Sequence, residues 1–270
     1  MPQTSVSRQL VFTVLAATLA AAGLYAQGRG GQTPPQPTTP RAAAPIDLTG
    51  YWVSQIVDEW RFRVVPQKGD IPYLPLNADA RRTANGWDPD KDIAEGNACK
   101  AYGAVGVMQR PGRLHITWQD DKTLKIDADA GTQTRLLHFG PVSAQKGPPS
   151  LQGYSAAQWL VNGRVLLDTG GTGFVPGLGP GRGAARAGTL RVTTDNLLPG
   201  YIRKNGVPHS DHAVLNEYFN VVTGPQGESY FVVTAMVEDP MYLIGPFIRT
   251  YNFKKQQDAS GWDPTPCLPK

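Results

Sequence analysis

Residues 213–222 read AVLNEYFNVV and residues 229–239 read SYFVVTAMVED, and these two stretches decide the fold. In both of them large apolar side chains alternate with other residues, which is the pattern of a β-strand with one buried face. The residues between them, TGPQGE, hold the glycine and proline that favour a turn. The sequence therefore predicts a β-hairpin from residue 213 to residue 239.

The same pattern continues along much of the chain, and turn-forming residues separate its copies. Helical periodicity is weak, and the best candidate is a short helix over Asn77–Asn85 with Asn77 as its cap. Many short strands predict an all-β fold, an antiparallel barrel with long loops and one short helix, and an antiparallel β-sandwich is the alternative. The further strand segments are GRLHITWQDD from residue 112, TLKIDAD from residue 123, TQTRLLHFG from residue 132, TLRVTTDNL from residue 189 and PFIRTYNFKK from residue 246.

Composition and charge narrow the class of protein. Only 18% of the residues are charged, while 30 glycines and 24 prolines mark many turns, which excludes a coiled coil or helical bundle. The net charge of +4 is spread along the chain and not collected in basic runs, so nucleic acid is not an expected partner. The chain has only two cysteines, Cys99 and Cys267, which excludes a thiolate zinc cluster.

The start of the chain predicts export. Arg8 precedes an uncharged apolar run over residues 10–24, and Ala26 offers a small residue at a cleavage site. We interpret residues 1–26 as a signal peptide, with an uncleaved anchor helix as the alternative. The mature protein is expected in the periplasm or outside the cell, without stable membrane insertion. In such a compartment Cys99 and Cys267 are expected to form a disulfide.

Behind the signal peptide the sequence predicts a tether and then one domain. Residues 27–46 hold five prolines and almost no large apolar side chain, which is typical of a disordered segment. A single β-barrel domain is expected from residue 47 to residue 270. Within it, residues 168–188 are rich in glycine and follow no strand pattern, so we interpret them as a surface insertion.

The first strand carries a motif known from another family. Gly50-Tyr51-Trp52 resembles the Gly-x-Trp motif that opens lipocalins. The resemblance implies a lipocalin-like, calycin-type barrel in which Trp52 seals the closed end. It also implies that an arginine of the last strand packs over this indole, and Arg249 is placed to be that partner.

A second resemblance covers most of the chain, from residue 47 to residue 267. It is to an uncharacterised family of secreted bacterial proteins. The resemblance implies secretion and a β architecture, and it brings no assigned chemistry. The residues that carry it are Glu59–Arg63, Gly153–Ser155 with Trp159, Gly200–Pro208, Leu215–Phe219, Val237–Pro240 and Pro246–Phe247.

Three charged side chains fall on apolar faces of predicted strands. Glu217, Arg135 and Arg249 each alternate with large apolar residues on a different strand, so all three are expected to point inward. Buried charges are costly unless they are paired. The three side chains therefore predict either a structural ion network inside the barrel or a ligand site. The predicted ligand contacts are Arg135, Glu217, Arg249, Arg203 and Tyr218.

Histidines supply a second set of candidates. His209 and His212 lie in HSDH, which is read as a loop, and they predict a divalent metal site with Glu217 as a further ligand. An ordinary polar loop is the alternative. His138 is placed near the mouth of the barrel, where an imidazole can act as an acid or a base.

Two classes of function follow from these residues. The first is an exported barrel that binds a small, partly apolar molecule in its interior and needs no cofactor. The alternative is a cofactor-independent or metal-assisted isomerase, lyase or hydrolase. In that enzyme Glu217 would act with His138 or His209 as the acid and base.

Overall fold

The computed structural model describes residues 38–64, 66–141, 146–161, 164–166 and 188–269. The predicted signal peptide, the first part of the predicted tether and residues 168–187 of the glycine-rich insertion lie outside the described residues. The strands are β1 (Gly50–Gln55), β2 (Arg113–Trp118), β3 (Thr123–Ala128), β4 (Gln133–Phe139), β5 (Tyr154–Val161), β6 (Arg164–Leu166), β7 (Thr189–Asp195), β8 (Gly200–Arg203), β9 (Val207–His209), β10 (Val214–Thr223), β11 (Ser229–Glu238) and β12 (Phe247–Gln256).

Within the described residues, nine strands close into a barrel in the order β4-β3-β2-β1-β12-β11-β10-β7-β5. The prediction of an all-β barrel is confirmed, and so is the hairpin of β10 and β11. One pairing differs from the expected antiparallel sheet, because β4 and β5 run parallel where they close the barrel, with Leu137 opposite Ser155. Strand β6 extends the sheet along β5, and β8 and β9 form a separate hairpin.

Short helices fill the long connection between β1 and β2. The predicted helix is confirmed as α2 (Ala78–Gly86), and the Asn77 side chain caps it by accepting from the Ala80 amide over 2.9 Å. The other helical segments were not predicted, because each is too short to show a period. They are α1 (Trp60–Arg63), α3 (Pro89–Ala94), a 3₁₀ helix (Lys100–Tyr102) and α4 (Ala104–Val107).

This connection leaves the barrel where β1 ends and returns where β2 begins, and the β8–β9 hairpin leaves it between β7 and β10. The antiparallel order of the sheet puts all of these strand ends on the same side. We call this side the helical end of the barrel. It is where loops and short helices can bring polar side chains over the core.

The middle of the barrel is filled by large side chains. Trp52, Trp159, Phe219, Phe231 and Phe253 are each at most 1% exposed. They come from five strands and take inward positions in the alternation of each strand. The barrel therefore has a packed core.

The residue that packs over Trp52 is Lys255 and not Arg249, which corrects the expectation from the lipocalin motif. Lys255 lies directly opposite Trp52 on β12, and its Nζ is 4.8 Å from the centroid of the indole. Arg249 lies nearer the start of β12, opposite Ala235. The register of β1 and β12 thus carries Arg249 away from Trp52 and toward the helical end.

The folded unit begins at Thr38, earlier than the predicted boundary at Asp47. The carbonyl of Pro40 accepts a hydrogen bond from Trp159 Nε1 over 2.9 Å, and Ala43 is buried. The second part of the predicted disordered tether is therefore packed on the barrel. Buried small apolar side chains, the Pro40 carbonyl and a hydrogen bond of 3.2 Å from the Arg41 amide to the Asp121 carbonyl dock it.

The predicted disulfide is present between Cys99 and Cys267, whose Cα atoms are 5.1 Å apart. It holds the C-terminal tail, which also accepts a hydrogen bond of 3.0 Å from the Tyr102 hydroxyl at the Leu268 carbonyl. Of the helices in the described residues, none has the length and apolarity needed to cross a membrane.

Candidate functional site

A fully buried ion pair joins Arg135 on β4 to Glu217 on β10 inside the barrel. Arg135 Nη1 donates to Glu217 Oε1 over 3.2 Å, and Nη2 donates to Oε2 over 2.6 Å. The two side chains face a shared interior because each takes the inward position in the alternation of its strand.

Polar neighbours surround this pair, and Arg135 Nε is buried without a hydrogen-bond partner among the described residues. Arg135 Nη2 also donates to Thr194 Oγ1 over 3.3 Å, and the Thr194 and Ser155 hydroxyls are 2.7 Å apart. Since each charge has its counter-charge, the arrangement has the geometry of a structural network. A ligand or catalytic role for Arg135 and Glu217 stays a prediction.

His138 and Tyr218 lie on the outer face of the barrel and not beside Glu217. The His138 ring stacks on Tyr154 with centroids 5.0 Å apart. Burial lowers the pKa of His138, and the Asp120 carboxylate partly opposes this shift. Tyr218 is 38% exposed. Because adjacent strand residues face opposite sides and Glu217 faces inward, neither side chain forms an interior site with it.

The structure does not bring His209 and His212 together as the predicted metal site. His209 belongs to strand β9 and not to a loop; it is buried, and its Nδ1 is 3.0 Å from the Ser210 carbonyl. Burial lowers its pKa, against the smaller effects of Ser210 and Asp239. The His212 side chain is 68% exposed. In the described part of the chain, no group of three or more His, Cys, Asp or Glu side chains is arranged to hold a metal ion.

Three buried arginines lie at the helical end, and we call Arg63, Arg110 and Arg203 the arginine cluster. They are 2%, 4% and 1% exposed. Arg63 ends α1, Arg110 follows α4 and Arg203 ends β8, so three separate segments each supply one guanidinium. The connections that cover the barrel thus concentrate positive charge above its core.

Arg110 is the least compensated member of the cluster. None of its three guanidinium nitrogens has a hydrogen-bond partner within the described residues, and Arg63 Nη2 and Arg203 Nη1 are buried without one as well. The pKa of Arg110 is lowered to about 10, mainly by burial; Tyr102 and Tyr251 oppose this shift, and the charges of Arg63 and Arg203 add to it. Such an arrangement is costly in isolation and is suited to an anion.

Aromatic rings and a carboxylate border the cluster. The guanidinium of Arg203 lies 4.2 Å from the centroid of the Phe62 ring, and that of Arg249 lies 4.5 Å from the Phe247 ring. Glu59 accepts from Arg203 Nη2 over 3.2 Å and from Arg249 Nε over 2.8 Å. The side chains of Glu59 and Arg249 are each 24% exposed, so the cluster reaches solvent at this bridge.

Two of the predicted ligand contacts, Arg203 and Arg249, therefore meet at one site, while Arg63 and Arg110 were missed. Arg63 ends the stretch EWRFR, whose mixture of aromatic and basic residues is a signal that could have been followed. Arg110 lies in a loop before β2, outside any alternating pattern, and nothing in the sequence marks it as buried.

A separate cleft of about 280 Å³ lies on the outer surface of the barrel, beside the C-terminal tail. Tyr51 stacks on His115 with centroids 4.0 Å apart, and Trp262 meets both rings edge-on. The carboxylate of this cleft is engaged, because Asp127 accepts a hydrogen bond of 2.7 Å from Thr134. The cleft offers aromatic surface, whereas the arginine cluster offers buried positive charge.

Three comparisons with known proteins found no match for this chain. No family model matches the chain, no curated protein matches it, and no solved structure matches it.

Proposed function

We propose that the protein is an exported β-barrel that binds a small, partly apolar molecule, and that this molecule carries an acidic group which binds to the arginine cluster. The observation that carries the proposal is the Arg110 guanidinium, which is buried with no hydrogen-bond partner among the described residues. An unpaired buried charge is strongly unfavourable. A protein can retain one where a ligand supplies the counter-charge.

The surroundings of the cluster support a ligand with an apolar part. Phe62 and Phe247 lie against the guanidinium groups, and Arg63 lies 5.4 Å from the centroid of the buried Tyr251 ring. Small-molecule sites commonly combine such apolar walls with a few polar groups that fix the orientation of the ligand. In this proposal the arginines hold the acid and the rings contact the apolar body.

The packed core leaves the middle of the barrel filled, which supports the helical end as the place where the ligand binds. The interior positions around Trp52 and Phe231 are filled by side chains that are almost completely buried. The ends of the barrel are covered by loops and short helices, which can adjust more readily than a closed sheet.

The disulfide supports the proposed export. Bonds such as Cys99–Cys267 persist in oxidising compartments and are rare in the cytosol. Together with the sequence of residues 1–26 this favours the periplasm or the outside of the cell.

Native mass spectrometry of the exported protein, freshly purified in a volatile buffer, tests the proposal. We expect a small acidic molecule bound to the wild-type protein and lost from Arg110→Met, which keeps an apolar stem without the charge. Arg191→Met is the matched control, because Arg191 lies on the outer face of β7 and binds Gln158. This control should retain the bound molecule.

Urea unfolding of the ligand-free wild type and Arg110→Met is the second part of the test. Arg110→Met should be more stable than the wild type by about 1–4 kcal/mol, since an apolar side chain replaces an unpaired buried cation. A wild-type protein with no bound acid, combined with a marked loss of stability in Arg110→Met, would show that Arg110 is structural and would overturn the proposal.

A further inference from the structure

We propose that the acidic group of the ligand carries two negative charges, as a phosphate monoester or a pair of carboxylates does, and that it displaces the Glu59 carboxylate from the arginines when it binds. This inference rests on the proposed function. It names the chemical class of the ligand and a competing group within the protein.

The excess of positive charge at the site is the reason to expect a ligand group with two negative charges. The arginine cluster and Arg249 bring four positive charges. Two carboxylates lie within ion-pair distance of them, namely Glu59 and Asp58, which is 3.8 Å from Arg63 Nη1. With Glu59 in place the site lacks two negative charges, and with Glu59 displaced it lacks three, so a ligand with two charges balances the site better than a ligand with one.

Other carboxylates nearby do not change this count. Asp70 acts electrostatically on Arg203, but it is held by Arg61, whose Nε and Nη2 donate to it over 2.6 and 2.7 Å. That pair is neutral as a unit, because one positive charge meets one negative charge. The excess of positive charge stays with the arginine cluster.

Glu59 has the position of a competitor for the incoming acid. Its carboxylate occupies Arg203 and Arg249 on the solvent side, while the nitrogens without partners lie deeper, on Arg110 and on Arg203 Nη1. An acid that approaches those nitrogens from the Glu59–Arg249 side would meet Glu59 first. When a group with two charges replaces the Glu59 carboxylate, it also provides acceptors for the nitrogens of Arg110 and Arg203 that Glu59 does not reach.

The backbone at Glu59 supports its displacement. Its φ of 49° and ψ of 24° lie in the left-handed region, which side chains other than Gly, Asn and Asp seldom adopt. Such strain persists when surrounding contacts hold it and is common at binding sites. The contacts that hold Glu59 include the two arginines, so a ligand that takes them over also allows this strain to relax.

Calorimetric titration with three probes of similar apolar body tests the charge. Phenyl phosphate and phthalate are dianions near pH 8, and benzoate is a monoanion. We expect at least one of the two dianions to bind the wild-type protein roughly tenfold or more tighter than benzoate does. The comparison of phenyl phosphate with phthalate shows which source of two charges fits better.

The variant Glu59→Gln tests the competition. Removing the internal carboxylate should tighten binding of the better dianion by roughly tenfold, even though the ligand-free variant is less stable. Glu95→Gln, which removes an exposed carboxylate from the end of α3, is the matched control and should bind like the wild type. Weaker binding by Glu59→Gln would show that Glu59 supports the arginines and would overturn the displacement.

The outcomes separate this inference from the proposed function. One outcome is that benzoate binds as tightly as both dianions and that binding is lost in Arg110→Met. That result would overturn the inference that the ligand carries two negative charges and would leave the proposed function standing. If none of the three probes binds either the wild type or Glu59→Gln, both proposals are overturned.

Discussion

Two buried arginines of this protein differ in whether a partner compensates their charge. Arg135 is matched by Glu217 inside the barrel, whereas Arg110 has no hydrogen-bond partner in the part of the chain that the structure describes. Breaking a matched pair leaves one charge uncompensated, while removing an unmatched charge relieves a cost. Substitutions at the two sites should therefore change stability in opposite directions.

Glu217→Gln tests the matched pair. The amide keeps the shape of the side chain but leaves Arg135 without a counter-charge, so we expect a loss of about 3 kcal/mol in the free energy of unfolding. Urea unfolding measures this change. Glu238→Gln is the control, because Glu238 is exposed at the end of β11, and it should change stability by less than about 0.5 kcal/mol.

The same experiment separates a structural pair from a binding one. If Arg135 and Glu217 only hold the barrel together, Glu217→Gln lowers stability and leaves ligand binding intact. A variant that keeps its stability and loses binding would instead assign the pair to the ligand site. The doubly apolar variant Arg135→Met with Glu217→Leu should recover most of the lost stability, since no buried charge remains.

His209 predicts a loss of stability in acid. Its pKa is lowered by burial in the folded state, so the unfolded chain takes up a proton first as the pH falls below about 6.5. The stability is present above that pH and is lost below it, by at most about 1.4 kcal/mol per pH unit. Urea unfolding at pH 7.5 and pH 5.5 should show a smaller difference for His209→Asn than for the wild type. His212→Asn, at an exposed side chain, should follow the wild-type profile; equal profiles for all three would contradict the prediction.

Strands were largely predictable from the sequence because alternation is a local signal. Every segment singled out by alternation corresponds to a strand, and β10 and β11 fall within one residue of the predicted limits. The closure of the barrel was not predictable. The parallel pairing of Leu137 with Ser155 joins two strands whose contact depends on the curvature of the whole sheet.

The candidate site was predictable only in part, for a related reason. Arg249 was recognised because it lies on a strand, where the neighbours on either side define an apolar face. Arg63 and Arg110 lie in a single helical turn and a loop, where burial depends on what the chain folds against. Sequence patterns report such positions poorly, and what marks this site in the structure is its buried nitrogens without hydrogen-bond partners among the described residues.

The N-terminal segment gives a prediction for a piece of chain that was expected to be disordered. Deleting residues 38–45 removes the hydrogen bond from Trp159 to Pro40 and exposes the surface under Ala43. We expect a loss of about 2 kcal/mol, which lowers Tm by roughly 4–8 °C. Deleting residues 27–37 is the control and should leave Tm nearly unchanged. A Tm that is also unchanged without residues 38–45 would show that this segment adds no stability.

The disulfide links distant parts of the folded unit, because Cys99 and Cys267 are separated by 168 positions in the chain. A loop of this length restricts the unfolded state, and we expect the double variant Cys99→Ala with Cys267→Ala to lose about 4–5 kcal/mol. Urea unfolding of the variant and of the oxidised protein measures the difference. A reducing agent should weaken the wild type and have no effect on the variant; two free thiols in the unreduced, denatured protein would contradict the bond.

The same bond decides how the protein responds to a pulling force. Tension applied at the two ends of the chain passes through Cys99 and Cys267, so the strands from β2 to β12 bear none of it while the bond is intact. Among the described strands only β1 lies on the loaded path, together with α1, α2 and α3, and β1 would separate from its neighbouring strands first. About 600 Å of contour length stays hidden, at roughly 3.6 Å for each of the 168 positions. A thiol would release this length in a single step under load.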